Sequence, residues 1–214
     1  MMKYRAIFCD WEGTLTNPEK GILNCIQYAC DYYGVKTEWD SLKKYIGPPL
    51  KDTFTELLGA DKADEATSKY RERFAPFGLY KNEIYDNVPN ALEKLKNAGF
   101  VLCTASSKPQ EFVEKILDHF DILKYFDYVG GATMDGKISE KDDVIKSVLD
   151  KTSLENNEVL MVGDRKYDLL GDEKMNMDAV GVLYGFGDFD ELSACKNVCL
   201  INDITELCDI LITK

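Results

Sequence analysis

Histidine is almost absent: His119 is the only one in 214 residues. A mechanism that needs two imidazoles is excluded, and acid, base or nucleophile work falls to carboxylates, lysines, hydroxyls or a bound metal. Positive charge is also in deficit, with 26 basic residues against 38 acidic ones and a formal charge of −12. Such a surface repels phosphate backbones and anionic lipid, so neither nucleic acid nor membrane is expected as a partner. An anionic substrate must then find a locally positive pocket. No apolar run reaches the ~20 residues of a membrane-spanning helix. The N-terminal run Ala6-Ile7-Phe8-Cys9 ends at Asp10 and is too short for a signal peptide. The cysteines (Cys9, Cys25, Cys30, Cys103, Cys195, Cys199 and Cys208) are odd in number and contain no Cys-x-x-Cys pair. Most lie in apolar runs, as expected of reduced, core-filling thiols in a cytoplasmic protein.

What the chain does have is core. With 45% apolar residues it can bury a large one, in one domain or one domain with an insert. Short apolar runs recur and end in polar or glycine-rich residues: Ala6–Cys9, Phe100–Cys103, Tyr125–Val129, Val159–Val162 and Ala179–Leu183. They read as buried parallel strands. Amphipathic stretches lie between them, marked by Leu92, Leu95 and Ala98, by Phe112, Val113, Ile116 and Leu117, and by Val144, Ile145, Val148 and Leu149. The alternation predicts an α/β fold with a doubly wound parallel sheet.

One interval breaks the alternation. About ninety residues separate the first two strands, too many for a single crossover. Ile22, Leu23, Ile26, Ala29, Cys30 and Tyr33 make an apolar stripe at helical spacing. Residues 16–85 are therefore expected to form an inserted helical domain, leaving 1–15 and 86–214 as the core. Turns are expected at Gly34, Gly47-Pro48-Pro49, Gly59 and Pro76–Gly78, with Tyr85-Asp86-Asn87-Val88-Pro89 as the returning hinge.

In an open parallel sheet, ligands bind beyond the carboxyl ends of the strands. Those ends carry Asp10-Trp11-Glu12-Gly13-Thr14, Thr104-Ala105-Ser106-Ser107-Lys108 and Gly163-Asp164-Arg165-Lys166-Tyr167-Asp168. Crowded carboxylates repel one another unless a cation sits among them, and an all-oxygen site suits Mg²⁺. A metal-bound carboxylate beside a hydroxyl-lined anion pocket is a good nucleophile toward phosphorus.

Four ordered segments carry a resemblance: Asp10-x-Glu-Gly-Thr14, Ser106-Ser107-Lys108-Pro109, a lysine after Asp135-Gly136-Lys137, and Gly163-Asp164-x-x-x-Asp168. Together they resemble the motifs of the haloacid dehalogenase superfamily, in its phosphoglycolate phosphatase-like branch. The resemblance covers nearly the whole chain, including Tyr45-Ile46-Gly47-Pro48-Pro49 and Tyr184-Gly185-Phe186-Gly187. It implies a Rossmann-like core with an α-helical cap and Mg²⁺-dependent hydrolysis of a small phosphorylated metabolite. By the same resemblance Asp10 is the nucleophile, Glu12 the general acid and base, and Ser106 the hydroxyl on the phosphoryl group. Ser107 and Lys108 complete the substrate pocket. Asp164 is the principal metal ligand, Asp168 a second ligand or a water-orienting group, and Asp10 and the Glu12 carbonyl complete the set.

The phosphoryl-neutralising lysine is Lys137 or Lys141. Lys141 is preferred, because Ser139 could cap a helix starting there and place it in the first turn. Glu12 stands where phosphatases of the superfamily usually have aspartate. The extra methylene moves the carboxyl by about 1.5 Å, and a shift of about 1 Å can cost a hundredfold in rate. The alternatives are a sugar-phosphate mutase or a weakly active phosphate-binding protein. Of the remaining candidates, His119 is expected as a surface or packing residue, Trp11 at the pocket mouth and Arg165 in a salt bridge. Lys43, Lys44, Arg71 and Arg73 are the cations of the insert available to a substrate.

Overall fold

Four apolar residues buried on both faces form β1 (Ala6–Cys9) at the centre of the sheet. The computed structural model describes residues 3–212. Asn17–Glu83 forms one compact unit and the chain before and after it a second. The chain leaves the core through β2 (Thr16–Asn17) and returns through β3 (Glu83–Ile84), two short strands that pair with each other.

The helical unit contains α1 (Glu19–Tyr32), α2 (Trp39–Leu42), α3 (Leu50–Leu58) and α4 (Ala63–Arg73). Helix α1 buries Ile22, Leu23, Ile26, Ala29 and Cys30 as its spacing predicts, while Tyr33 lies past its end and is half-buried. Phe54, Tyr70 and Phe74 form an aromatic row, with Tyr70 and Phe74 stacked at 5.4 Å. The turn expected around Pro76–Gly78 comes just after it, at Leu79-Tyr80. Helix α4 widens into one π-helical turn, Phe74–Gly78, closed by the Leu79 N–H donating to the Phe74 carbonyl at 2.8 Å. Pro76 has no N–H for an α-helical ladder, so the i→i−4 pattern cannot run on through this turn.

In the core unit the chain continues through α5 (Val88–Asn97), β4 (Val101–Pro109), α6 (Gln110–His119), β5 (Tyr128–Ala132), α7 (Lys141–Thr152) and β6 (Val159–Gly163). It ends with α8 (Lys166–Lys174), β7 (Asp178–Val182), α9 (Phe189–Ser193), β8 (Cys199–Ile201) and α10 (Ile204–Ile212). The strand order is β5-β4-β1-β6-β7-β8, all parallel. This is the doubly wound, Rossmann-like α/β sheet. The winding reverses at β1, so the crevice for a ligand opens at its carboxyl end between β4 and β6.

Three strand expectations need correction. The strand expected at Tyr125–Val129 lies three residues later, because Leu123–Tyr125 closes a 3₁₀ turn. Strand β4 runs on past Cys103 to Pro109, with a bulge between Ser106 and Pro109. A sixth strand, β8, extends the sheet beyond β7.

All seven cysteines are free. Burial pushes the Cys9 and Cys103 thiols up to about 12, which makes them packing groups rather than nucleophiles. Among the described residues, no helix is long and apolar enough to cross a membrane.

Candidate active site

Asp10 is the first residue beyond β1, and its N–H donates to the Val162 carbonyl at 2.8 Å, tying the loop to β6. The chain then reverses tightly: the Trp11 carbonyl accepts from the N–H groups of Leu15 and Thr16, and the Gly13 N–H donates to the Thr16 carbonyl. Gly13 has φ +81°, and a Cβ on it would lie 2.0 Å from Asp164 Oδ2. Glycine is therefore required twice over, by backbone conformation and by the approach of the carboxylate. Trp11, expected at a pocket mouth, is fully buried.

The loops after β1 and β6 and the first turn of α8 bring three buried carboxylates together. Ligand oxygens of Asp10, Asp164 and Asp168 lie within 4.8 Å of one another. Asp164 Oδ2 accepts from the Phe186 N–H at 2.7 Å, whereas its buried Oδ1 has no hydrogen-bond partner. Asp168 Oδ2 accepts from the Arg165 N–H at 3.0 Å. Burial, reinforced by Asp168 and Asp10, holds the Asp164 carboxyl well above the usual carboxylate range. Burial also raises Asp168, against the pull of Lys141. A bare buried oxygen in an all-carboxylate set fits a hard divalent cation such as Mg²⁺. The Glu12 side chain is outside this cluster, and only its main-chain carbonyl remains as the metal donor expected of it.

Lys141 is the cation the described structure places among these acids. Its Nζ lies 2.8 Å from Asp10 Oδ1 and 2.7 Å from Asp168 Oδ1, and it donates to the Ala105 carbonyl at 2.8 Å. Three acceptors match the three ammonium hydrogens. Burial favours loss of its proton, but Asp10 and Asp168 together outweigh burial and raise its pKa, so the ammonium stays charged. Lys141 begins α7, although Ser139 does not cap that helix: the N-cap residue is Glu140, with no side-chain bond. Lys137 is 83% exposed and pairs with Asp135 at 2.8 Å, away from the carboxylates.

On the β4 side, Ser106 is buried and Ser107 exposed. Ser106 Oγ accepts the Lys108 N–H at 3.3 Å. Lys108 turns inward and its Nζ lies 2.8 Å from Glu12 Oε1, with both side chains largely buried.

Sequence reasoning did not find this pair, nor the Phe186 N–H on Asp164. A backbone donor has no residue-type signature, and the pair spans two strand ends. Arg165 forms its expected salt bridge, with Glu191 at 2.9 Å; the same Glu191 carboxylate accepts the Lys166 N–H and so anchors the start of α8. His119 is exposed at the end of α6. In the helical unit, Lys43 pairs with Asp40 and Glu19, Lys44 pairs with Glu56, and Arg73 lies over Tyr28 and Phe77. Arg71 is exposed.

Residues 7–182 match the family model of the haloacid dehalogenase-like hydrolases. A 5′-nucleotidase of Pseudomonas aeruginosa is 38% identical over 98% of this chain and 96% of its own length. The tyrosine-protein kinase PtkA of Mycobacterium tuberculosis is 31% identical over 87% of this chain and 64% of its own length. A phosphoglycolate phosphatase of Vibrio parahaemolyticus is 29% identical over 78% of this chain and 74% of its own. Among solved structures, a predicted phosphatase from Clostridium acetobutylicum superposes with a TM-score of 0.94 at 35% identity, covering 99% of both chains.

Proposed function

The chain belongs to the haloacid dehalogenase-like hydrolase family and is a phosphatase of that family, and from that premise we propose that Asp10 takes the phosphoryl group of a small phosphate monoester as an aspartyl phosphate. The observation that carries this reading is the buried Lys141 ammonium shared by Asp10 and Asp168 at 2.8 and 2.7 Å. It holds one Asp10 oxygen and leaves the other for attack, and it offsets charge on the phosphoryl oxygens.

In the first step an Asp10 oxygen bonds to phosphorus, the bond from phosphorus to the alcohol oxygen breaks, and Glu12 gives that oxygen its proton. In the second, Glu12 takes a proton from water, the water oxygen bonds to phosphorus, and the Asp10–phosphorus bond breaks. Ser106 holds the phosphoryl group, with the amides leading into α6. Asp10, Asp164 and the Glu12 carbonyl would hold Mg²⁺, with Asp168 beside them. A bound Mg²⁺ would supply charge neutralisation and polarise a phosphoryl oxygen. Asn17–Glu83 is the cap of this reading, selecting the substrate, and the cytoplasm is its compartment.

Nucleoside 5′-monophosphates are the substrate class to test first, given the 5′-nucleotidase that matches nearly the full chain. The experiment is a phosphate-release screen with Mg²⁺ over nucleotides, phosphoglycolate, pyrophosphate and sugar phosphates. Free phosphate is expected from at least one of them and none from Asp10→Asn. An isomeric phosphosugar without free phosphate would indicate a mutase instead, and binding without turnover a phosphate-binding protein.

A further inference from the structure

Lys108, which forms a buried ion pair with Glu12, has no place in the two steps above. Lys108 is not a surface lysine: its side chain is 6% exposed and that of Glu12 16%. Its backbone is fixed by the bulge at the end of β4 and by the Ser106 hydroxyl accepting its N–H. The contact also depends on which acid stands at position 12. An aspartate arm is shorter by about 1.5 Å, which would open the 2.8 Å contact to about 4 Å. Glu12 and Lys108 are thus matched in length.

We propose that Lys108 is a positioning residue for Glu12. Its ammonium fixes the carboxylate of the longer side chain in the orientation that receives a proton from the attacking water. The inference rests on the assignment of Asp10 and Glu12 above. It accounts for a glutamate at a place where a loose carboxyl would be costly: the second anchor restores the definition that the extra rotatable bond removes. Because Lys108 follows Ser106 by two residues, the same bulge sets both the phosphoryl-binding hydroxyl and the anchor of the base.

The test uses p-nitrophenyl phosphate, whose leaving group departs without a proton, so only hydrolysis of the aspartyl phosphate needs Glu12. In Lys108→Met, rapid mixing should show a burst of about one p-nitrophenolate per enzyme, followed by turnover at least tenfold slower than in the parent, within the range of acid–base contributions. Glu12→Gln should behave alike, and the double variant should be no slower than Glu12→Gln alone. Lys108→Arg, which keeps a charge in reach, should recover part of the rate. Lys108→Gln gives the same comparison should the methionine variant not fold.

If Lys108→Met slows the burst itself as much as turnover, or if the two losses multiply, the lysine acts on the phosphoryl group and the positioning role is wrong. A burst that survives in Asp10→Asn, or a parent protein that releases no nitrophenolate, would instead overturn the functional reading beneath it.

Discussion

Asp164 is fully buried, has one oxygen bonded to a backbone N–H and the other bonded to nothing, and faces two further carboxylates. A charge so placed costs stability in the protein without a cation. Asp164→Asn removes the charge and keeps the size. It should raise the metal-free melting temperature by about 2–4 °C, the equivalent of ~1 kcal/mol at this chain length, while abolishing both turnover and any Mg²⁺-induced shift. Lys141→Met should act in the opposite sense. Losing one partner of a buried charge cluster costs about 3–5 kcal/mol, so the melting temperature should fall by about 10 °C, and Mg²⁺ should recover part of it. Calorimetry of the two variants with and without Mg²⁺ checks both, and a Lys141→Met melt equal to the parent would remove the lysine from the cluster. The sequence could nominate Lys137 and Lys141 equally on spacing, and the capping argument from Ser139 does not hold, since Glu140 is the N-cap of α7. What separates them is burial: Lys141 opens α7 at the sheet's carboxyl edge, while Lys137 precedes it in an exposed turn.

At the scale of elements, the strands that could be read were those whose apolar runs are buried on both faces; β1 and β6 match within one residue. Strand β8 was missed because it has three residues, two of them only partly buried, and so shows no sustained pattern. The π-helical turn was missed for a different reason, since Pro76 and Gly78 are the residues of an ordinary turn. Here Gly78 serves close packing: a Cβ on it would lie 2.7 Å from Cys25 Sγ of α1, and one on Gly21 of α1 would sit 2.4 Å from the Gly78 carbonyl oxygen. Gly21→Ala should therefore force α1 and the π turn apart and destabilise the helical unit by about 1–3 kcal/mol, the usual range for overpacking. Hydrogen exchange should show the loss within Asn17–Glu83 and spare the central strands; uniform loss across both units would contradict it. In the core unit Gly13→Ala meets Asp164 at 2.0 Å and must displace a carboxylate, so Mg²⁺ affinity should fall along with activity.

For the whole molecule, the charge of −12 says nothing of where the acids sit. Most of the charge is a solvated surface, but Asp10, Asp164 and Asp168 are drawn inside by strand ends that converge at one edge of the sheet, and composition alone could show only the excess. The placement gives the protein a distinctive pH dependence. Burial raises the carboxyl pKa of Asp164 and Asp168 in the folded state above their unfolded values. Groups raised in this way stabilise the metal-free fold below the unfolded carboxylate range, and that contribution is lost as pH rises through the folded pKa. A cation requires the deprotonated carboxylates and competes with those protons, so its stabilising effect must grow in the same direction. The melting temperature should therefore rise on adding saturating Mg²⁺ by several degrees near pH 8 and by much less near pH 5, with EDTA reversing it at both. A shift of equal size at the two pH values would place the cation somewhere other than this cluster. In Asp164→Asn the pH dependence of the shift should disappear with the shift itself, which ties the effect to the buried acids rather than to the surface charge.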